Sequence, residues 1–148
     1  AEEQSIGVVR EEWESEDRPA RETSAARDAA FARTVKRAYD YRCAACGIRF
    51  VYEDTTLIDA AHLMPWAMTN DDRPQNGMAL CKNHHWVMDK RLLAPGPDLK
   101  WHVSRSLDRR IEGQMELIEL NGEKIILPAE DKMKPDPHAL EWRASQLR

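Results

Sequence analysis

The sequence predicts a single α+β domain in which short strands and helices gather around one polar stretch, residues 59–89. Three observations predict it. At 148 residues the chain is long enough for one hydrophobic core and too short for two comfortable ones. Its apolar pattern switches several times between helical spacing and strand-like alternation, with no internal repeat. All three cysteines and three of the five histidines fall within residues 43–85, which concentrates the polar ligands in one place.

The elements follow in order. Residues 1–22 mix acidic side chains, arginines and a proline without periodicity, and read as an acidic linker or arm. Thr23 or Ser24 can cap a helix running to about Tyr39, with Phe31, Val35 and Ala38 as its buried stripe. Residues 48–52 and 56–62 are β-branched and aromatic runs across a short polar turn, which predicts a hairpin; Pro65, lacking an amide hydrogen, lies beyond its second strand. Residues 69–77 are loop chemistry, and Met78 to Leu80 is a brief apolar return before Cys81. Asn83 can cap a helix to about Leu92, stopped by Pro95-Gly96-Pro97, and residues 99–103 suit a strand. Asn121-Gly122 between two apolar runs, 115–120 and 124–127, predicts a tight hairpin with a primed turn. A last helix starts with Asp136 as cap and Pro137 in its first turn, and buries Leu140, Ala144 and Leu147.

Composition narrows the class. Apolar residues make up 42% and charged residues 32%, and no apolar run reaches the roughly 18 residues that span a bilayer. The N-terminus starts acidic and lacks the apolar region of a signal peptide, so a cytoplasmic protein is the default expectation. A first residue of alanine is what an excised domain of a longer protein would show. The net charge of -4 is unevenly spread: residues 1–24 carry -5, and 25–148 hold 19 basic and 18 acidic side chains. A near-neutral body with local basic clusters leaves two readings for those clusters, solvated faces or phosphate contacts.

The polar stretch carries the chemistry. Cys43-x2-Cys46 and Cys81-x2-His84 are two pairs at knuckle spacing, three thiolates and one imidazole, a tetrahedral set suited to structural Zn²⁺. Gly47 follows the first pair, where a turn around a metal needs an unhindered backbone. His85 and Asp89 stand four apart on the expected helix, on one face, with His84 about 100° away. An imidazole and a carboxylate leave open positions for a divalent ion such as Mg²⁺ or Mn²⁺; alone, the two could equally be an ordinary i, i+4 pair.

His62 at a strand end followed by Leu-x-Pro-Trp, Asn76 before the returning strand, and His85 beside the four-ligand knuckle together resemble the HNH nuclease family. The resemblance covers about residues 41–93. More narrowly, Asp-Ala-Ala-His-Leu-x-Pro-Trp with Asn-Gly-x-Ala-Leu-Cys-x-Asn-His-His-Trp is similar to HNH domains of restriction endonucleases, including those that cut modified DNA. It implies a ββα-metal core with a zinc knuckle, flanked here by an N-terminal helix and a C-terminal β-hairpin plus helix, with 23–148 as the nuclease domain. His62 would be the general base, Asn76 would orient it or pin the loop, and His85 with Asp89 would hold the catalytic ion. The implied reaction is hydrolysis of double-stranded DNA to a 5′-phosphate and a 3′-hydroxyl.

Many family members place a metal ligand immediately before the general base, where this chain has Ala61. Asp59 could reach the ion, orient a ligand, or simply end a strand. Lys90, Arg91, Arg105, Arg109 and Arg110 are candidates for phosphate contacts. Trp66 and Trp86 are expected in the core, and His102 and His138 outside the site. An upstream recognition domain or a homodimer would supply sequence choice. The competing reading is a zinc-knuckle module that binds nucleic acid or protein without cutting.

Overall fold

The computed structural model describes residues 18–148, with side chains described from residue 23. Residues 1–17 of the expected arm lie outside the described residues. The first helix, α1 (Arg18–Ala38), starts five residues earlier than expected. Pro19 is compatible with this, because a first-turn amide has no helical partner to lose. The chain divides into two compact units, 1–30 and 31–148. In the first, residues 23–30 are helical and solvent-exposed apart from half-buried Ser24. The second carries the core and every candidate site residue.

Within this second unit, Phe31 and Val35 on α1 and Tyr39 just past its end recur at i, i+4 and i+8 and are buried; Ala38 is partly buried against the same core. Two strands lie at its centre, β3 (Ile58–His62) and β4 (Gly77–Cys81), antiparallel with Ile58 opposite Cys81 and His62 opposite Gly77. Every residue of β4 is buried, as its apolar Met78-Ala79-Leu80 run requires. The hairpin expected from residues 48–62 is corrected: β1 (Val51–Tyr52) pairs only with the two-residue β2 (Thr55–Thr56). The next strand turns inward instead, because Ile58 and Ala61 find their buried surroundings beside β4.

The 63–76 connection holds a short helix, α2 (Trp66–Thr69), and a 3-10 turn at Pro74–Asn76. From β4 the chain passes directly into α3 (Lys82–Asp89). Cys81 therefore occupies the N-cap position that was expected of Asn83, and no side chain caps this helix. Two strands followed at once by a helix give the ββα unit on which the polar residues sit.

The C-terminal layer differs more from expectation. β6 (Trp101–Val103) falls in the stretch 99–103 expected as a strand, and its partner β5 (Leu93–Pro95), just past the helix, was not expected. The hairpin expected at Asn121-Gly122 is not formed. Residues 114–118 are a helix, α4 (Gln114–Ile118), because Leu117, Ile118 and Leu120 pack on the core at helical rather than alternating spacing. Gly122, with φ of 86°, still turns the chain, and residues 122–125 then bond irregularly along β6. The last helix, α5 (Pro137–Ser145), is capped by Asp136, which accepts the His138 amide as expected. Its buried residues are Ala139, Leu140 and Arg143, while Ala144 and Leu147 are half-buried.

Trp101 is fully buried, whereas Trp66 and Trp86, expected in the core, are 37% and 58% exposed. The reason lies in α3, whose fully buried apolar contact is Met88, leaving Trp86 on the outer face beneath the Lys90 ammonium.

Candidate functional site

The residues 43–47 loop is shaped by backbone donors aimed at sulfur. The amides of Ala45 and Cys46 donate to Cys43 Sγ at 3.4 and 3.5 Å, and Gly47, with φ of 78°, closes the turn by donating to the Cys43 carbonyl. α3 brings the other pair, with His84 Nδ1 3.2 Å from Cys81 Sγ and 3.8 Å from Cys43 Sγ, and Cys46 Sγ 3.9 Å from Cys81 Sγ. The four ligand atoms lie within 4.8 Å of one another, and among the described residues no other group of three or more potential ligands does so. Three sulfurs and one imidazole nitrogen at this separation are the donor set of a closed zinc knuckle. Burial raises the Cys43 pKa, but hydrogen bonds from His84 and the loop amides outweigh it and bring it down to about 6. Cys46 is pushed up to about 12 by burial and by the neighbouring thiols. One thiolate is thus ready and others lose protons on binding a cation.

His62 ends β3. Its ring is stacked on Phe31 with centroids 4.1 Å apart and planes within 4°, and its Nε2 lies 2.9 Å from Asp72 Oδ1. Gly77, opposite it, leaves room for this stack: a Cβ there would come within 2.6 Å of Val35 and 2.7 Å of Phe31. Arg143 donates to the carbonyls of His62 and Leu63 at 3.2 and 2.8 Å, fixing the strand end from behind. Burial lowers the Arg143 pKa, and the nearby Asp89 opposes that shift.

Asn76 is fully buried, and it does not touch the imidazole. Its Nδ2 donates to the carbonyls of Met64 and Asp71, both at 3.0 Å, and its Oδ1 accepts the Met64 amide at 2.9 Å. Of the two roles open to it, pinning the loop is the one that these contacts perform.

His85 turns away from the knuckle, as the rotation between adjacent helical residues requires. Its Nδ1 is 2.9 Å from Asp59 Oδ2, and its Nε2 is 3.6 Å from Asp89 Oδ2. The two carboxylates therefore sit against opposite nitrogens of one ring. Lys82 Nζ is 2.6 Å from the other Asp59 oxygen. Burial raises the Asp59 pKa, but the hydrogen bonds from Lys82 and His85 outweigh it and hold it below the usual carboxylate range.

Of the basic candidates, Lys90, Arg91, Arg105, Arg109 and Arg110 are all exposed. Arg110 is engaged by Asp108 at 2.9 Å, whereas Arg105 and Arg109 form no ion pair among the described residues. His102 pairs with Asp98 away from this cluster. A cavity of about 630 Å³ opens beside the knuckle, lined by Cys46, His84, Trp86, Val87, Leu117 and Leu120 among others, but neither His62 nor His85 borders it.

Asp72, Arg143 and Phe31 were not anticipated as site residues. Their contacts with His62 span 10, 81 and 31 residues of sequence. Only the Asp-Asp pair at 71–72, inside a loop otherwise rich in turn formers, could have drawn notice.

A family model described as HNH endonuclease matches residues 43–94. Among solved structures, the modification-dependent TagI restriction endonuclease is similar, with a TM-score of 0.58 and 26% identity over 80% of this chain and 38% of that one. The chain thus spans well under half the length of that protein. No curated protein matches significantly. Among the described residues, no helix is long and apolar enough to cross a membrane.

Proposed function

We propose, from the premise that residues 43–94 are an HNH endonuclease domain with relatives among restriction enzymes, that this chain hydrolyses phosphodiester bonds of double-stranded DNA with a divalent ion. The observation that carries the reading is the ββα unit itself. It presents His62 at a strand end and joins Asp59 on that strand to His85 on the helix at 2.9 Å.

The Asp59–His85 pair fits a small divalent cation. Its carboxylate oxygen and imidazole nitrogen, 2.9 Å apart, are donors that such an ion would take. We assign Asp59 and His85 as its ligands, with Asp89 steadying the ring through the opposite nitrogen, as carboxylates behind metal-bound histidines do. A bound Mg²⁺ or Mn²⁺ supplies positive charge to offset that developing on phosphate and leaving oxygens. His62 takes the proton of the attacking water at the ring nitrogen that Asp72 leaves available. Hydrolysis in this sense gives a 5′-phosphate and a 3′-hydroxyl. The Cys43, Cys46, Cys81 and His84 set would hold zinc and so anchor the start of α3, the helix that carries His85.

Arg91, Arg105 and Arg109, with no ion pair among the described residues, and Lys90 beside Trp86 are exposed and could meet phosphate, and Arg110 joins them only by leaving Asp108. With a near-neutral body, the chain binds DNA weakly by itself, and sequence or modification choice comes from an upstream domain or a dimer.

The test is nicking of supercoiled plasmid with Mg²⁺ or Mn²⁺, with and without chelator. Metal-dependent nicking by the chain, lost by about a hundredfold or more in His62→Ala, is the expected result. Equal nicking by His62→Ala, or none by intact zinc-loaded protein, sinks the reading. Single-stranded DNA and RNA arms of the same assay reveal a different substrate.

A further inference from the structure

We infer that Asp72 is a positioning residue for His62, and that Asn76 serves the reaction by holding this pair together. The inference rests on the nuclease reading above. An ionised carboxylate only accepts hydrogen bonds. Its contact with Nε2 therefore places the imidazole proton on Nε2 and leaves the lone pair of Nδ1 to accept a proton. Water gives its proton to Nδ1, its oxygen bonds to phosphorus, and the 3′-oxygen leaves with its bonding electrons and is protonated by solvent. The charge that His62 acquires meets a carboxylate already in place, the arrangement that serves histidine bases elsewhere.

The pair is built and not incidental. Phe31 fixes the plane of the ring, and Arg143 fixes the strand end through the carbonyls of His62 and Leu63. The buried amide of Asn76 bonds Met64, two residues after His62, and the carbonyl of Asp71, one residue before Asp72. One side chain thus sets the distance between the two segments that carry the pair. On the far side, Arg73 binds Asp71 at 2.9 Å and Asp136, the cap of α5, at 3.3 Å. The charged groups facing His62 are Asp72, the Arg73-paired Asp71, and Arg143 at its backbone. Arg73 takes Asp71, which leaves Asp72 to the His62 ring.

The test compares Asp72→Ala and Asp72→Asn with wild type in the full chain, after checking zinc content and thermal unfolding. We expect kcat for plasmid nicking to fall about tenfold to a thousandfold with KM for the plasmid unchanged. Imidazole ¹⁵N spectra of histidine-labelled protein should place the wild-type His62 proton on Nε2 and show a mixture of tautomers in Asp72→Ala. Should Asp72→Ala fail to fold, Asp72→Asn and the wild-type tautomer decide. Nicking within twofold of wild type by Asp72→Asn, or a wild-type proton on Nδ1, overturns the inference and leaves the nuclease reading standing. No nicking by wild type overturns both.

Discussion

His84 and His85 are neighbours on one helix and meet different partners, and the regions they belong to differ in how they are held. His84 joins three cysteines in a set where every ligand position is filled by the chain and backbone amides already point at sulfur. His85 meets Asp59 and Asp89 in contacts that are about a third to more than half exposed, with Lys82 sharing one carboxylate. A closed set makes the metal part of the fold, whereas an open pair leaves places for water and substrate. The difference teaches that a rotation of about 100° between adjacent helical residues is enough to send one imidazole into a closed ligand set and the next into an open, charged one.

The largest expected effect breaks the first region. Cys81→Ser should lose the zinc and with it the cooperative fold of this unit, because structural zinc contributes about 10–16 kcal/mol in small domains, comparable to or above a whole domain's net stability of about 5–15 kcal/mol. Metal analysis and near-UV circular dichroism check this. His85→Ala should do the reverse, keeping zinc and changing stability by about 1 kcal/mol or less while losing nicking about a hundredfold. If His85→Ala also sheds zinc, the two regions are not separable.

A smaller effect tests the link between packing and reactivity. Gly77→Ala forces a methyl group into Phe31 and Val35 and should destabilise by about 1–3 kcal/mol, measured by urea unfolding, with nicking reduced because Phe31 no longer lies flat against His62. Unchanged activity would show that the stack is dispensable.

The smallest effect concerns the loop clamp. Arg73 holds the Asp71 pKa below its ordinary value, chiefly through their hydrogen bond. A depressed carboxylate contributes stability above its unfolded pKa of about 3.9 and loses it as pH falls through the lower folded value. Arg73→Ala should therefore lower stability by about 0.5 kcal/mol at neutral pH, an exposed pair's worth, and the difference should shrink at an acidic pH below the folded value. Unfolding curves at the two pH values check the sign.

The parts of the site legible in the sequence are those that depend on local spacing. Cys43-x2-Cys46, Cys81-x2-His84 and the turn of helix from His84 to His85 follow from residues within four positions, and the structure brings each pair together. Asp72 and Arg143 reach His62 only after the chain has folded back, and no period announces them. The same holds for the fold. The cap at Asp136 is local and was legible, while the partner of β3 was decided by burial across a 14-residue connection. Asn121-Gly122 shows the converse: its turn forms, but the flanking apolar run obeys a helical period, so the hairpin does not.

The carbonyl of Ala44, in the knuckle loop, accepts both the indole NH of Trp101 at 3.1 Å and the amide of Ile126 at 2.9 Å. Graft boundaries follow from that one oxygen. The stretch that the family model matches, residues 43–94, is not the piece to transplant, since cutting after 94 strips two donors from the residues 43–47 loop and removes Trp101. A cassette moved into another scaffold should run from Phe31 to the end of α5, and a shorter one should hold its zinc loosely and express poorly.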